Sequence, residues 1–281
     1  MLAIALSLCA ALFYGAADFC GGLASKRVSI LAVMLVSQAI SFAPLGILCA
    51  FVPAHAQTMD YVFGMLAGLC ACGGLALLYH ALSIGTMGVV SPITAIVGVA
   101  LPLFAGIVVG NEHLTFIQAC GIASALVAVL LISFSTEAGG KVEFTTRGVR
   151  EALVAGVMFG GTYLFLGYTH ASAGPYPLLA ARGVSVALLV TIALARRPRI
   201  DLRLRANAFA LLAIVGTLDV LGNALYMFAA RAHHLAIAAV LTSLYPATTV
   251  FLARFVLKER LERSQQLGVA CALVGVALIA T

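Results

Sequence analysis

The chain has 281 residues, of which 63% are hydrophobic and only 9% charged, with ten acids, sixteen bases and a formal charge of +6. A soluble chain carries roughly 45–50% apolar and about 25% charged residues; these side chains cannot cover a water-facing surface, and with a mean hydropathy of +1.13 the composition specifies an integral membrane protein. That composition excludes a cytosolic enzyme, a secreted disulfide scaffold and a nucleic-acid reader together, and the bases, which sit in short runs between apolar stretches, read as topology signals.

The sequence opens on an apolar run without a preceding basic region, too long for a signal-peptide core, and is expected to be a retained first helix. Crossing the hydrocarbon layer takes about 20 apolar residues. That ruler predicts ten spans, near 2–24, 29–52, 61–83, 88–109, 115–135, 151–171, 177–195, 208–230, 235–256 and 265–280. Backbone groups in lipid must be satisfied within the segment, and the alternating segments of a barrel are absent, so the fold class is all-α. Only Ile84, Gly85, Thr86 and Met87 separate the third and fourth spans, while the longest connections are 136–150 and 196–207. Seven cysteines, Cys9, Cys20, Cys49, Cys70, Cys72, Cys120 and Cys271, lie in apolar stretches and are expected to pack as small hydrophobes. Cys70-x-Cys72 without neighbouring acid ligands predicts no metal site, and nothing in the pattern asks for a cofactor.

The chain repeats itself. At a shift of 147 residues the polar frame Glu112-x5-Gln118-x2-Gly121 recurs as Glu259-x5-Gln265-x2-Gly268, and at 148 Gly68, Gly74 and Ala81 meet Gly216, Gly222 and Ala229. Two five-span halves, 1–136 and 150–281, follow. Because five is odd, the second half enters the membrane inverted, the arrangement of many secondary transporters, whose substrate sites lie between the repeats. Lys26, Arg27, Lys141, Arg147, Arg150, Arg196, Arg197, Arg199, Arg203, Arg205, Lys258, Arg260 and Arg263 flank one side, against Arg231 on the other. The positive-inside rule puts those loops in the cytoplasm and both termini outside.

Particular residues resemble a known family. Ser243-Leu244-Tyr245-Pro246, Thr249-Val250, Leu252-Ala253-Arg254, Leu257, Glu259-Arg260 and Gln265-x-x-Gly268 in the second half join Tyr14-Gly15-Ala16-Ala17-Asp18-Phe19, Gly21-Gly22 and Ser25-Lys26-Arg27 in the first. Together they look like two repeats of the EamA family of the drug/metabolite transporter superfamily. The resemblance implies a ten-span carrier of the bacterial inner (plasma) membrane, commonly an exporter of amino acids, other metabolites or drugs. It also implies cytoplasmic termini, against the base count. One departure lies inside the repeat: Pro246 stands 13 residues before Glu259, whereas Val99 holds that place before Glu112.

An ionised carboxylate at the bilayer centre costs at least ~2.5–3.5 kcal/mol, which makes intramembrane acids functional candidates. Asp18 in the first span and Asp219 in the eighth qualify, as proton or substrate contacts or as structural acids paired with a base. Arg182 opens the seventh span, with Gln38 at the matching place 144 residues earlier. Arg182 either holds a substrate carboxylate or pairs with Asp18 or Asp219. Asn223 follows Asp219 by one turn and shares its face. His80 offers an imidazole that titrates near neutrality. Glu112 and Glu259, at helix ends, read as structural acids beside the next helix N-terminus. Pro92, Pro102 and Pro246 are expected to kink helices or free carbonyls. Gly64-x3-Gly68, Gly106-x3-Gly110 and Gly156-x3-Gly160 read as packing motifs.

Asn111-Glu112-His113 lacks the H-E-x-x-H frame of an intramembrane metalloprotease, no Ser has a G-x-S-x-G elbow, and no ring of like polar groups suggests a channel. A non-transporting scaffold has no need of inverted halves with two mid-membrane acids. The sequence therefore predicts a monomeric or homodimeric carrier whose partners are a small-molecule substrate and the lipid bilayer, exporting the substrate by alternating access either with a proton as the coupling ion or by facilitated passage.

Overall fold

The computed structural model describes residues 2–25, 28–84, 87–133, 148–196, 206–232, 235–256 and 263–280. Most of the bases behind the orientation reading lie outside these segments (Lys26, Arg27, Lys141, Arg147, Arg197, Arg199, Arg203, Arg205, Lys258 and Arg260), as do Glu259, His233 and His234. The described residues form helices and no strand: α1 (Leu2–Ser25), α2 (Ile30–Ile40), α3 (Phe42–Phe51), α4 (Thr58–Ile84), α5 (Met87–Val108), α6 (Phe116–Ser133), α7 (Val149–Gly167), α8 (Tyr176–Arg196), α9 (Ala206–Arg231), α10 (Leu235–Thr242), α11 (Tyr245–Val256) and α12 (Arg263–Ile279), with a short 3-10 turn at Ala171–Ala173. Seven segments are long and apolar enough to cross a bilayer: Leu2–Gly21, Leu31–Phe51, Thr58–Leu78, Val149–Gly167, Tyr176–Ala195, Phe209–Arg231 and Leu235–Val256. Ile93–Val108, Phe116–Ile132 and Arg263–Ile279 are apolar but shorter.

Two expected continuous spans are broken. Residues 29–52 divide at Ser41, whose hydroxyl donates to the Gln38 carbonyl at 2.6 Å, and Pro44 in the first turn of α3 has no N–H to offer Ile40. Residues 235–256 divide at Ser243–Leu244, where Leu244 N–H reaches Leu241 O (3.3 Å) and Ala247 N–H reaches Leu244 O (2.9 Å), both tighter than α-helical bonding. Pro246 is the second residue of α11, where its missing N–H would be an orphan anyway. In the other half, where Val99 replaces Pro246, α5 runs unbroken from Met87 to Val108, past Pro92 and Pro102 alike. Of the three prolines expected to disturb spans, only Pro246 adjoins a break.

The repeated frame Glu-x5-Gln-x2-Gly has a structural explanation in the first half. Asn111 ends α5 in the left-handed region (φ 50°). Glu112 then accepts hydrogen bonds from Leu235 N (2.6 Å) and Ala236 N (3.1 Å), capping α10 from across the molecule. Gln118 and Thr115 form a reciprocal capping box at the start of α6, with bonds of 3.1 and 3.2 Å. Gly121 lets α6 cross α12 so closely that a Cβ there would meet the Gly275 carbonyl and Ile279.

The helices pack in related pairs: α1 on α9 and α4 on α7; α4 on α8 and α9 on α2; α5 on α7, and α10 and α11 on α1; α6 on α12. The contacts recur in register. A Cβ at Gly68 would strike Ala181, and one at Gly216 would strike Ser37, 144 residues before Ala181. Gly74 abuts Phe159, and Gly222 abuts Tyr14, 145 residues before Phe159. Thr94 donates to Ala152 O (3.2 Å), and Thr242, 148 residues on, donates to Ser7 O (3.4 Å).

At one end of the bundle the turn after α7 is tied down. Asp60, fully buried, accepts from Gln57 N and His170 N, both at 2.8 Å, with His170 Nδ1 2.9 Å from the same carboxylate. Arg231 donates to Thr169 Oγ1 (2.9 and 2.5 Å) and to Gly174 O (2.8 Å). These bonds end the helix at Gly167, earlier than the expected 171.

Candidate functional site

α1, α2, α4, α5, α7, α8, α9 and the α10–α11 break together enclose a cavity of about 240 Å³. Neither α6 nor α12 contributes a lining residue; the two pack chiefly on each other, through small-residue faces. The Gly68–Ala181 and Gly216–Ser37 approaches bring α4, α8, α9 and α2 backbone to backbone just outside this space.

Its polar centre is a relay of three side chains. Arg182, 5% exposed, donates through Nη1 to Gln38 Oε1 and through Nη2 to Asp219 Oδ2, the latter at 2.5 Å. The two positions that match across the sequence shift, Gln38 and Arg182, therefore touch in space. Asn223, one turn beyond Asp219 on α9, donates to the Asp219 main-chain carbonyl (2.8 Å) and lies 3.4 Å from its Oδ1. The Asp219 side chain keeps 34% exposure towards the cavity, against 7% for Arg182. Of the two sequence readings of Arg182, the geometry takes the ion pair: both terminal nitrogens of its guanidinium already have acceptors.

Asp18 lines the same cavity. It is open to the space, and among the described residues it has no hydrogen-bond or ion-pair partner. Tyr14 precedes it by one helical turn and so shares its face. The Tyr14 ring makes edge contacts with Tyr163 (6.4 Å between centroids) and Tyr245 (6.5 Å), and all three rings line the cavity. Behind them the fully buried Tyr226 packs on Tyr163 at 4.6 Å and donates its hydroxyl to the Tyr163 carbonyl at 2.9 Å.

The structure thus brings Asp219, Asp18, Arg182, Asn223 and Gln38 around one space. It does not bring His80 there: His80 lies on α4 outside the cavity lining, on an exposed surface. The tyrosines were the residues missed. Tyr14 and Tyr245 appear in the sequence only as parts of the family motif, and the i, i+4 spacing of Tyr14 and Asp18 was the signal available. Tyr163 had none, because its neighbours come from α1 and α9.

No curated protein matches the chain. Among solved structures, one crystal structure superposes with a TM-score of 0.76 over 98% of this chain and 95% of that chain at 16% identity, a likeness of fold. The EamA-like transporter family model matches residues 146–281. With that match and its apolar helices, the chain is a multi-pass membrane protein whose residues 146–281 are similar to the EamA-like transporter family.

Proposed function

We propose that the chain is a secondary transporter, not an enzyme, that exports small metabolites such as amino acids, or drugs, across the bacterial inner membrane. In this reading residues 1–136 and 150–281 are two inverted five-helix repeats, and alternating access is a rocking of one against the other around the cavity. The seven long and three shorter apolar segments support ten spans once the broken helices count as single crossings. The recurrence of contacts at shifts of 144–148 residues supports the inverted pairing, since three contacts of one half have their mates in the other.

The observation that carries the reading is the cavity itself. It is lined from four spans of each half, and it holds two acids and a guanidinium that such an apolar chain has no packing reason to place there. A scaffold leaves those groups unexplained. Of the two acids, Asp219 is engaged by Arg182, so Asp18 is the group that a coupling proton would use.

Proteoliposomes loaded with a radiolabelled panel of amino acids and organic acids test this. The expected result is saturable flux of at least one member, accelerated by an imposed pH gradient in the wild type but not in Asp18→Asn. Equal flux with and without the gradient removes proton coupling. Absence of flux for every panel member and for cationic dyes removes transport.

A further inference from the structure

The charges around the cavity do not balance in the direction expected for an acidic ligand. Arg182 and Asp219 neutralise each other, and both terminal guanidinium nitrogens are occupied, one by Asp219 and one by Gln38. The guanidinium keeps further N–H donors, but its charge is already balanced by Asp219, so an added ligand carboxylate would leave the cavity with excess negative charge. Asp18 is left as the one charged group on the lining without a counter-charge among the described residues.

Its surroundings suit a cation. Tyr14, Tyr163 and Tyr245 bring three aromatic rings to the same space, with Tyr14 held edge-on to the other two. Ring faces attract cations, by about 0.5–1 kcal/mol at exposed sites and about 2 kcal/mol when desolvated. The hydroxyls of these three tyrosines make no hydrogen bond among the described residues, whereas the Tyr226 hydroxyl behind them is spent on the Tyr163 carbonyl.

Nor does the frame need an acid at this place. The contact of Gly74 with Phe159 corresponds to that of Gly222 with Tyr14, a shift of 145 residues on the ring side, and the same shift carries Asp18 onto Tyr163. The equivalent position of the other half is therefore filled by a neutral ring, and helix packing there is satisfied without a carboxylate. The cavity, at about 240 Å³, is smaller than the roughly 300–1,000 Å³ of drug-sized pockets.

From this arrangement we infer that the substrate is a small organic monocation, an amine or quaternary ammonium, whose charged nitrogen sits against Asp18 within the Tyr14–Tyr163–Tyr245 rings. The inference rests on the transporter reading for what happens after binding, but binding tests it alone.

The full chain in lipid nanodiscs is titrated calorimetrically with (2-hydroxyethyl)trimethylammonium and with its uncharged isostere 3,3-dimethyl-1-butanol, then with leucine and butyrate. The cation is expected to bind roughly tenfold or more tightly than the alcohol, the worth of one charge-assisted interaction. Asp18→Asn should lose that preference and Asp18→Glu keep it, with the Glu variant also showing that the site tolerates substitution. Tyr245→Ala should weaken the cation several-fold and leave the alcohol unchanged. Equal affinity for cation and alcohol, no binding of the cation, or an unchanged preference in Asp18→Asn overturns the inference. Counterflow in proteoliposomes separates the two readings. Leucine or butyrate exchange without cation binding sinks the cation site and keeps the transporter; cation binding without exchange of any probe keeps the site and sinks the transporter.

Discussion

Removing Asp219 strands a positive charge inside the bundle. Asp219→Asn leaves Arg182, 5% exposed, with only neutral acceptors at Gln38 and the new amide. Breaking a buried pair from one side costs about 3–5 kcal/mol; because the Asp219 side chain is 34% exposed to the cavity, the lower end, about 3 kcal/mol, applies. Arg182→Gln strands a carboxylate instead, but one that already faces the cavity and has the Asn223 amide 3.4 Å away, so about 1–2 kcal/mol is expected. The double variant, with no charge left, should be more stable than Asp219→Asn alone. The chain has no Trp, so thermal unfolding in detergent is best followed with a thiol-reactive dye, in which the buried Cys72, 3% exposed in the fold, adds to a baseline from the exposed Cys9 and Cys120. At roughly 2–4 °C per kcal/mol, Asp219→Asn should lower the midpoint by about 6 °C or more, and by more than Arg182→Gln does. Equal losses for the two single variants, or a double variant worse than both together, would refute the assignment of Arg182 as a buried charge held by Asp219.

Gly68→Val is expected to abolish correct assembly, because its Cβ would run into the Ala181 backbone, whereas Gly183→Val, with open space around it, should leave the size-exclusion profile unchanged. Glu112→Ala removes the acceptor of two N–H groups at the start of α10 and should cost about 1–2 kcal/mol in the same thermal assay, with Glu112→Gln recovering part of it. His80→Ala should leave transport rates at the wild-type level, since the residue is not part of the cavity lining; a loss of flux without a loss of protein would bring His80 back into the mechanism.

What was legible in the sequence follows from which physical signals are local. Helix type came from apolar runs that must satisfy their own hydrogen bonds, and Gly64-x3-Gly68 and Gly156-x3-Gly160 marked close crossings in advance. The Arg182–Gln38 correspondence was visible as a shift of 144 residues, but that the two side chains touch is a consequence of how α2 and α8 meet, which no local pattern encodes. The break before Pro246 was legible as chemistry, while the break at Ser41 was hidden in an unbroken apolar run with Pro44 as its only mark. Asp18 and Asp219 looked alike as intramembrane acids; only packing separated the one with a guanidinium from the one without. The three rings gathered from α1, α7 and α11 could not be assembled from spacing at all.

The frame of the molecule is matched between its halves, but the side chains set into that frame are not. Arg182 faces Gln38 and Asp18 stands where the other half has Tyr163, so a ligand bound at Asp18 as proposed would lie nearer one half than the other. Two identical subunits meeting across a two-fold axis would have to carry the same residue on both sides, and a guanidinium there would confront its twin. A single fused chain escapes that constraint. Under the proposed rocking, the two access states, exchanged by a two-fold rotation, would then differ in energy even without a ligand, and one side of the membrane would be the resting side of the cavity.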